Sequence, residues 1–164
     1  MNTTTISEIV NEIATEVKNR KRAPENWGVL TPLDIRSLSP QDKGAFGEKI
    51  ACCALKESGL EVSTDHTGSK DLLVNGEGCE VKTSFVQPAW FNQIKFGASI
   101  PATPWKRLVF VFVSPGHIEV WLAVCSNALK ATLTANNHLS WRGTPAELSS
   151  SLWTKVGEWN EEAI

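Results

Sequence analysis

At 164 residues, with 41% hydrophobic and 21% charged residues, the chain has the composition of an ordinary globular protein long enough to bury a core. No run of 18 apolar residues occurs, which excludes a membrane-spanning helix, and the opening MNTTTISEIVNEIATEV lacks the basic-then-apolar pattern of a signal peptide. The net charge of −2 gives no global support to nucleic-acid binding, so any basic footprint has to be local.

Along the chain, Thr5-Ile6-Ser7-Glu8 has the form of a capping box, and Ile6, Ile9, Val10, Ile13 and Val17 recur at helical spacing. A helix is predicted over 5–21, ending in the cations Lys18, Arg20, Lys21 and Arg22, which suit the negative end of its dipole. That basic run is either a solvated helix end or a patch that contacts phosphate. Residues 23–40 hold Pro24, Gly28, Pro32 and Pro40 and are expected to be mostly loop. A second helix follows over 42–58, stopped at Gly59. Three strand-like segments come next, at 60–63, 71–74 and 79–85, and Asn75-Gly76 between the last two is the strongest hairpin signal in the chain. After Pro88 a short helix is expected over 90–97. The apolar runs 108–113 and 118–124 have the look of strands buried on both faces. Thr144-Pro145-Ala146-Glu147 has a helix-opening pattern, so C-terminal helices are expected over 126–162.

Strands that first meander and then alternate with a helix predict an α/β fold, a central mixed β-sheet flanked by helices. No linker or repeat divides the chain, so 1–164 reads as a single domain. Cys52, Cys53, Cys79 and Cys125 show no C-x-x-C spacing, which points to reduced thiols in a cytoplasmic protein and away from a zinc site. His66, His117 and His138 are too scattered for a histidine-based metal site, and no nucleophile signature or glycine-rich phosphate loop occurs. Most of the seven tryptophans are expected in the core. Trp90 and Trp105, beside Lys95, Lys106 and Arg107, are candidates to frame nucleic acid.

The chemistry concentrates in Asp71-Leu72-Leu73-Val74-Asn75-Gly76-Glu77-Gly78-Cys79-Glu80-Val81-Lys82. With a two-residue turn at Asn75-Gly76, Asp71 falls opposite Glu80; with a four-residue turn it falls opposite Lys82. Either register puts Asp71, Glu80 and Lys82 on one face, because side chains alternate with period two. Opposed carboxylates repel unless something neutralises them, and a divalent cation held by both would do so. Magnesium takes oxygen ligands and needs only one or two carboxylates besides water and phosphate. Lys82 is then placed to stabilise the charge that grows on a phosphate, and the Val81 carbonyl is a further candidate ligand. Glu48 sits in the second helix among Gly44, Ala51, Cys52 and Leu55, an apolar setting that is costly for a carboxylate without a partner or a metal.

Gly44-x-x-Gly47-Glu48 on a helix, then Asp71 to Gly76, then Glu80-Val81-Lys82-Thr83-Ser84, resembles the PD-(D/E)XK nucleases, the restriction-endonuclease-like superfamily. Phe91-Asn92-Gln93-Ile94 followed by Phe96 is similar to the segment after the catalytic strand in small bacterial and phage members. The resemblance covers about 43–124, the nuclease core, with the helix 5–21 and the helices over 126–162 as additions. It implies magnesium, or manganese in its place, held by Asp71, Glu80 and Glu48, with Lys82 as the catalytic lysine and Gln93 at the edge of the site. One departure stands out: Lys70, not proline, precedes Asp71. The implied activity is hydrolysis of DNA phosphodiester bonds by a restriction-type endonuclease, working as a homodimer where both strands are cut. The alternatives are a structure-specific phage or repair nuclease, a toxin nuclease, an enzyme acting on RNA, or a DNA-binding protein that keeps the fold without catalysis.

Overall fold

The structure, a computed structural model, describes residues 4–19, 39–65, 70–85, 87–88, 94–101, 104–114, 116–135 and 138–161, and leaves the side chains at 17–19, 87–88 and 94–97 undescribed. Arg20, Lys21, Arg22 and nearly all of the loop expected over 23–40 lie outside the described residues. Among those described, no helix is long and apolar enough to cross a membrane.

Helix α1 (Ile6–Asn19) begins where the capping box placed it. The Glu8 amide donates to Thr5 Oγ1 at 3.2 Å, and the Thr5 amide donates to the Glu8 carboxylate at 2.7 Å. Its stripe Ile6, Ile9, Val10 and Ile13 is buried. Helix α2 (Pro40–Glu57) starts two residues earlier than predicted, because Ser39 accepts from the Asp42 amide and Pro40 sits in the first turn.

Six strands form the main sheet: β1 (Val62–Thr64), β2 (Leu72–Val74), β3 (Glu77–Phe85), β6 (Arg107–Ser114), β7 (His117–Val124) and β10 (Trp153–Asn160), in the spatial order β1-β2-β3-β6-β7-β10. Only the β3–β6 pair is parallel, so the sheet is mixed. Helices α1 and α2 cover one face, where Phe46, Ile50, Ala54 and Leu55 pack on Cys79, Val81, Val109, Val111 and Val120. This is an α/β fold with a mixed central sheet and few helices.

The other face is not covered mainly by helices, as expected, but by a second sheet. Strands β4 (Gln87–Pro88), β5 (Ile94–Ile100), β8 (Thr134–Ala135) and β9 (Leu139–Gly143) run in the order β4-β5-β9-β8, with the five-residue helix α3 (Asn127–Ala131) beside them. Ile100, Trp105, Leu129 and Trp153 pack there on Leu108, Phe110 and Phe112. Phe110 stacks on Trp153 at 4.5 Å between centroids.

Two predicted helical regions are therefore corrected. The described part of 90–97 is strand: β5 pairs with β4 and β9, with Ala98 and Ile100 buried and Ser99 exposed between them. Among the described residues, 126–162 hold as helix only α3 and one 3-10 turn at Pro145–Glu147; the rest is mainly β8, β9 and β10. The capping box there is real, since Glu147 and Thr144 bond each other reciprocally, but Leu148 already has extended backbone. Burial on both faces holds for β6 alone. Strand β7 keeps Ile118, Val120 and Ala123 buried while Glu119 and Trp121 are half-buried.

Candidate active site

The site begins at the hairpin between β2 and β3. Val74 pairs with Glu77, so the turn is the two-residue Asn75-Gly76, both at positive φ (51° and 79°) as a type I′ turn requires. Pairing then stops at Leu72–Cys79, leaving β3 beyond Cys79 with no strand partner on the β2 side among the described residues. Asp71, just outside the ladder, does not stand over a sheet face opposite Glu80 as the register alone suggested. One carboxylate oxygen accepts the Val81 amide at 2.8 Å, which brings Asp71 to the open edge of β3. The Val81 carbonyl points to the same edge, because the N–H and C=O of one strand residue share a direction.

Glu80 and Lys82 do share a face, the one toward the second sheet, since they lie beside Leu108 and Phe110 in the parallel register. Their charged groups are 2.7 Å apart, with Glu80 buried and Lys82 half-buried. Glu48 comes from the opposite face. Gly47 lies directly on Thr83 of β3, and a Cβ there would overlap the Thr83 side chain. This close approach of α2 to β3 carries the neighbouring Glu48 to the strand edge. Burial holds the Glu48 carboxyl above its usual pKa, and the charges of Asp71 and Glu80 push it further up, with Lys82 opposing.

Glu48, Asp71, Val81 and Lys82, with Pro40, Lys43, Gly44, Thr83 and Phe85, line a cleft of about 340 Å³. Glu80 does not line it and lies behind the Lys82 ammonium. Four of the residues singled out from the sequence thus converge, together with the Val81 main chain. Gln93 and Trp90 fall outside the described residues, as does the Lys95 side chain. Trp105 is corrected from a nucleic-acid contact to a core residue: it is buried, and its indole N–H donates to the Pro101 carbonyl at 3.1 Å. Arg107 is tied to Glu77 at 3.7 Å. The thiols of Cys53 and Cys79 are pushed up to about 11 and about 12, mainly by burial, so they remain protonated at neutral pH.

Sequence reasoning passed over one further cluster, on β7 and β10. His117, Glu119 and Glu158 offer ligand atoms within 4.8 Å of one another, a group able to hold a metal ion. Its signal in the sequence was His117-x-Glu119 at strand period, hidden because the third member comes from a distant strand. His117 Nδ1 lies 2.6 Å from Asn160 Oδ1, and Lys155 approaches Glu158 at 3.2 Å and Glu119 at 3.6 Å.

No protein-family model matches this chain, and no curated protein matches it in sequence.

Proposed function

We propose that the protein is a magnesium-dependent endonuclease with a restriction-endonuclease-like core that hydrolyses DNA phosphodiester bonds at the open edge of β3. The observation that carries this reading is the meeting of Glu48 and Asp71 with Lys82 at a cleft, with Glu80 paired to the same lysine behind it. Three carboxylates against Lys82, with the Lys43 ammonium elsewhere in the cleft, leave the site short of positive charge, and the Glu48 pKa is raised first by burial and then by the charges of Asp71 and Glu80. An all-oxygen donor set fits a hard cation such as magnesium or manganese and suits softer metals poorly.

Asp71, Glu48, Glu80 and the Val81 carbonyl are the groups that would hold the ion. When bound, it supplies charge neutralisation for the phosphate and a more acidic water. Asp71 is already positioned by the Val81 amide, so the edge is organised without further ordering. Glu80 would join the set where a bound ion took the place of its pairing with Lys82, whose side chain already lines the cleft. Lys82 then donates to the phosphate oxygens as charge develops on them, an interaction stronger in the transition state than in the ground state. A homodimer, one site per strand, follows from the restriction-type reading.

Incubating the protein with supercoiled plasmid tests this. Magnesium or manganese is expected to support nicking and linearisation, and excess EDTA to abolish them. Full cleavage in EDTA, or intact plasmid in magnesium, would sink the proposal.

A further inference from the structure

The cleft has a second end that phosphodiester hydrolysis alone does not use. Pro40, Lys43 and Gly44 from the start of α2 face Phe85 near the end of β3 there. The Lys43 ammonium lies 5.1 Å from the centre of the Phe85 ring. Among the described residues it makes no ion pair, although Glu48 and Asp71 line the same cleft. An aromatic face attracts an ammonium without neutralising it, so the charge stays available to an incoming anion. Phe85 is itself held by Phe46, 6.5 Å away in the core, which fixes where the lysine rests.

We infer that Lys43, seated on Phe85, is a second phosphate subsite that takes the phosphate next to the scissile one, so that the cleft selects a polynucleotide strand over an isolated phosphodiester. The inference rests on the reading of this cleft as a nuclease site. The acidic end repels every phosphate that is not matched by a cation, so a polyanion crossing the cleft needs a positive group beyond Lys82. Five residues of helix separate Lys43 from Glu48, a rise of about 7.5 Å. That is comparable with the step between successive phosphates on an extended strand. Lys43 is thus a positioning residue: it holds the chain in register and takes no part in bond making.

The test compares the full-length wild type with Lys43→Met, Lys43→Arg and Phe85→Leu. Fluorescent oligonucleotide binding is measured in calcium over a range of salt, and steady-state cleavage in magnesium. Hydrolysis of bis(p-nitrophenyl) phosphate in manganese provides a substrate with no second phosphate. For Lys43→Met we expect oligonucleotide Kd and KM to rise about tenfold with a smaller change in kcat, and the salt slope to fall by about one unit. Lys43→Arg should recover most of the loss, Phe85→Leu should fall between, and the small diester should lose less than the oligonucleotide. An unchanged KM and salt slope in Lys43→Met, or equal losses on both substrates, overturns the inference and leaves the nuclease reading standing. Lys43-dependent binding without cleavage by the wild type supports the subsite and overturns the nuclease reading. Oligonucleotide neither bound nor cut by the wild type overturns both.

Discussion

Two groups of carboxylates sit on the main sheet, and they differ in what balances them. At the open edge of β3, Glu48 and Asp71 line the cleft with Lys82, whose ammonium is paired with Glu80, and Glu48 is held protonated more readily than a free carboxylate. On β7 and β10, Glu119 and Glu158 face each other directly across the strands. Lys155 and His117 both lie within 3.6 Å of each of those two carboxylates. The hydrogen bond to Glu158 holds the Lys155 pKa above its usual value. Glu48 and Asp71 line a cleft and Glu80 is buried behind it; the second group lies at a more open surface, with Glu158 41% exposed. The same residue types thus serve opposite ends. Solvated carboxylates that each already meet Lys155 gain little from a cation, whereas carboxylates gathered in a cleft gain more.

Metal binding sharpens this contrast most. At a concentration about 100 times its dissociation constant, magnesium is expected to add about 2.7 kcal/mol of stability, a rise of about 5–10 °C in Tm. Glu80→Gln and Asp71→Asn should abolish the rise, and His117→Ala should keep it. Loss of the rise in His117→Ala alone, with Glu80→Gln unaffected, would move the metal centre to β7 and β10.

A smaller effect is expected at Glu48. Its folded pKa is raised, so the folded state binds more protons than the unfolded chain, and the charged carboxylate opposes folding as pH rises above the carboxylate range. Glu48→Gln should therefore be more stable than wild type in metal-free buffer at pH 7, with the advantage shrinking as pH falls to about 4, near the ordinary glutamate pKa. Magnesium should reverse the order. Denaturant melts at two pH values decide it, and a variant less stable than wild type at pH 7 without metal would contradict the burial and charge penalty on the Glu48 carboxylate. Least affected should be Lys155→Met, whose exposed ion pairs are worth less than about 1 kcal/mol, with the cost fading in high salt. A loss several times larger would mean that β7 and β10 depend on that balance more than their exposure suggests.

Much of the first half of this organisation was legible in the sequence because its signals are local. Thr5 and Glu8 cap α1, Gly59 follows the end of α2, and Asn75-Gly76 fixes the hairpin register within a few residues of chain. Strand β10 was not legible. Its partner β7 lies about thirty residues away or more, and Leu148, Leu152, Val156 and Trp159 also recur at a spacing near the helical one. The same holds for β5, which besides the short β4 pairs with the distant β9. Within the site, spacing alone put Glu80 and Lys82 together and singled out Asp71 and Glu48. What spacing does not carry is where a ladder stops. Because β2 begins only at Leu72, Asp71 is free of the ladder and accepts from the Val81 amide, and the candidate site forms at a strand edge, where groups from both faces of the sheet meet. Nor did it single out Lys43 on Phe85, a contact between helix and strand over forty residues apart.

The central claim, that Lys82 and its three carboxylates form a phosphodiester-cleaving centre, is tested most directly by Lys82→Ala. Single-turnover DNA cleavage in magnesium and DNA affinity in calcium would be measured on the same preparation. The account predicts a cleavage rate lower by about a hundredfold or more with affinity changed only a few-fold, since the lysine acts as charge develops. Cleavage at the wild-type rate would contradict it and return Lys82 to an ordinary strand lysine paired with Glu80.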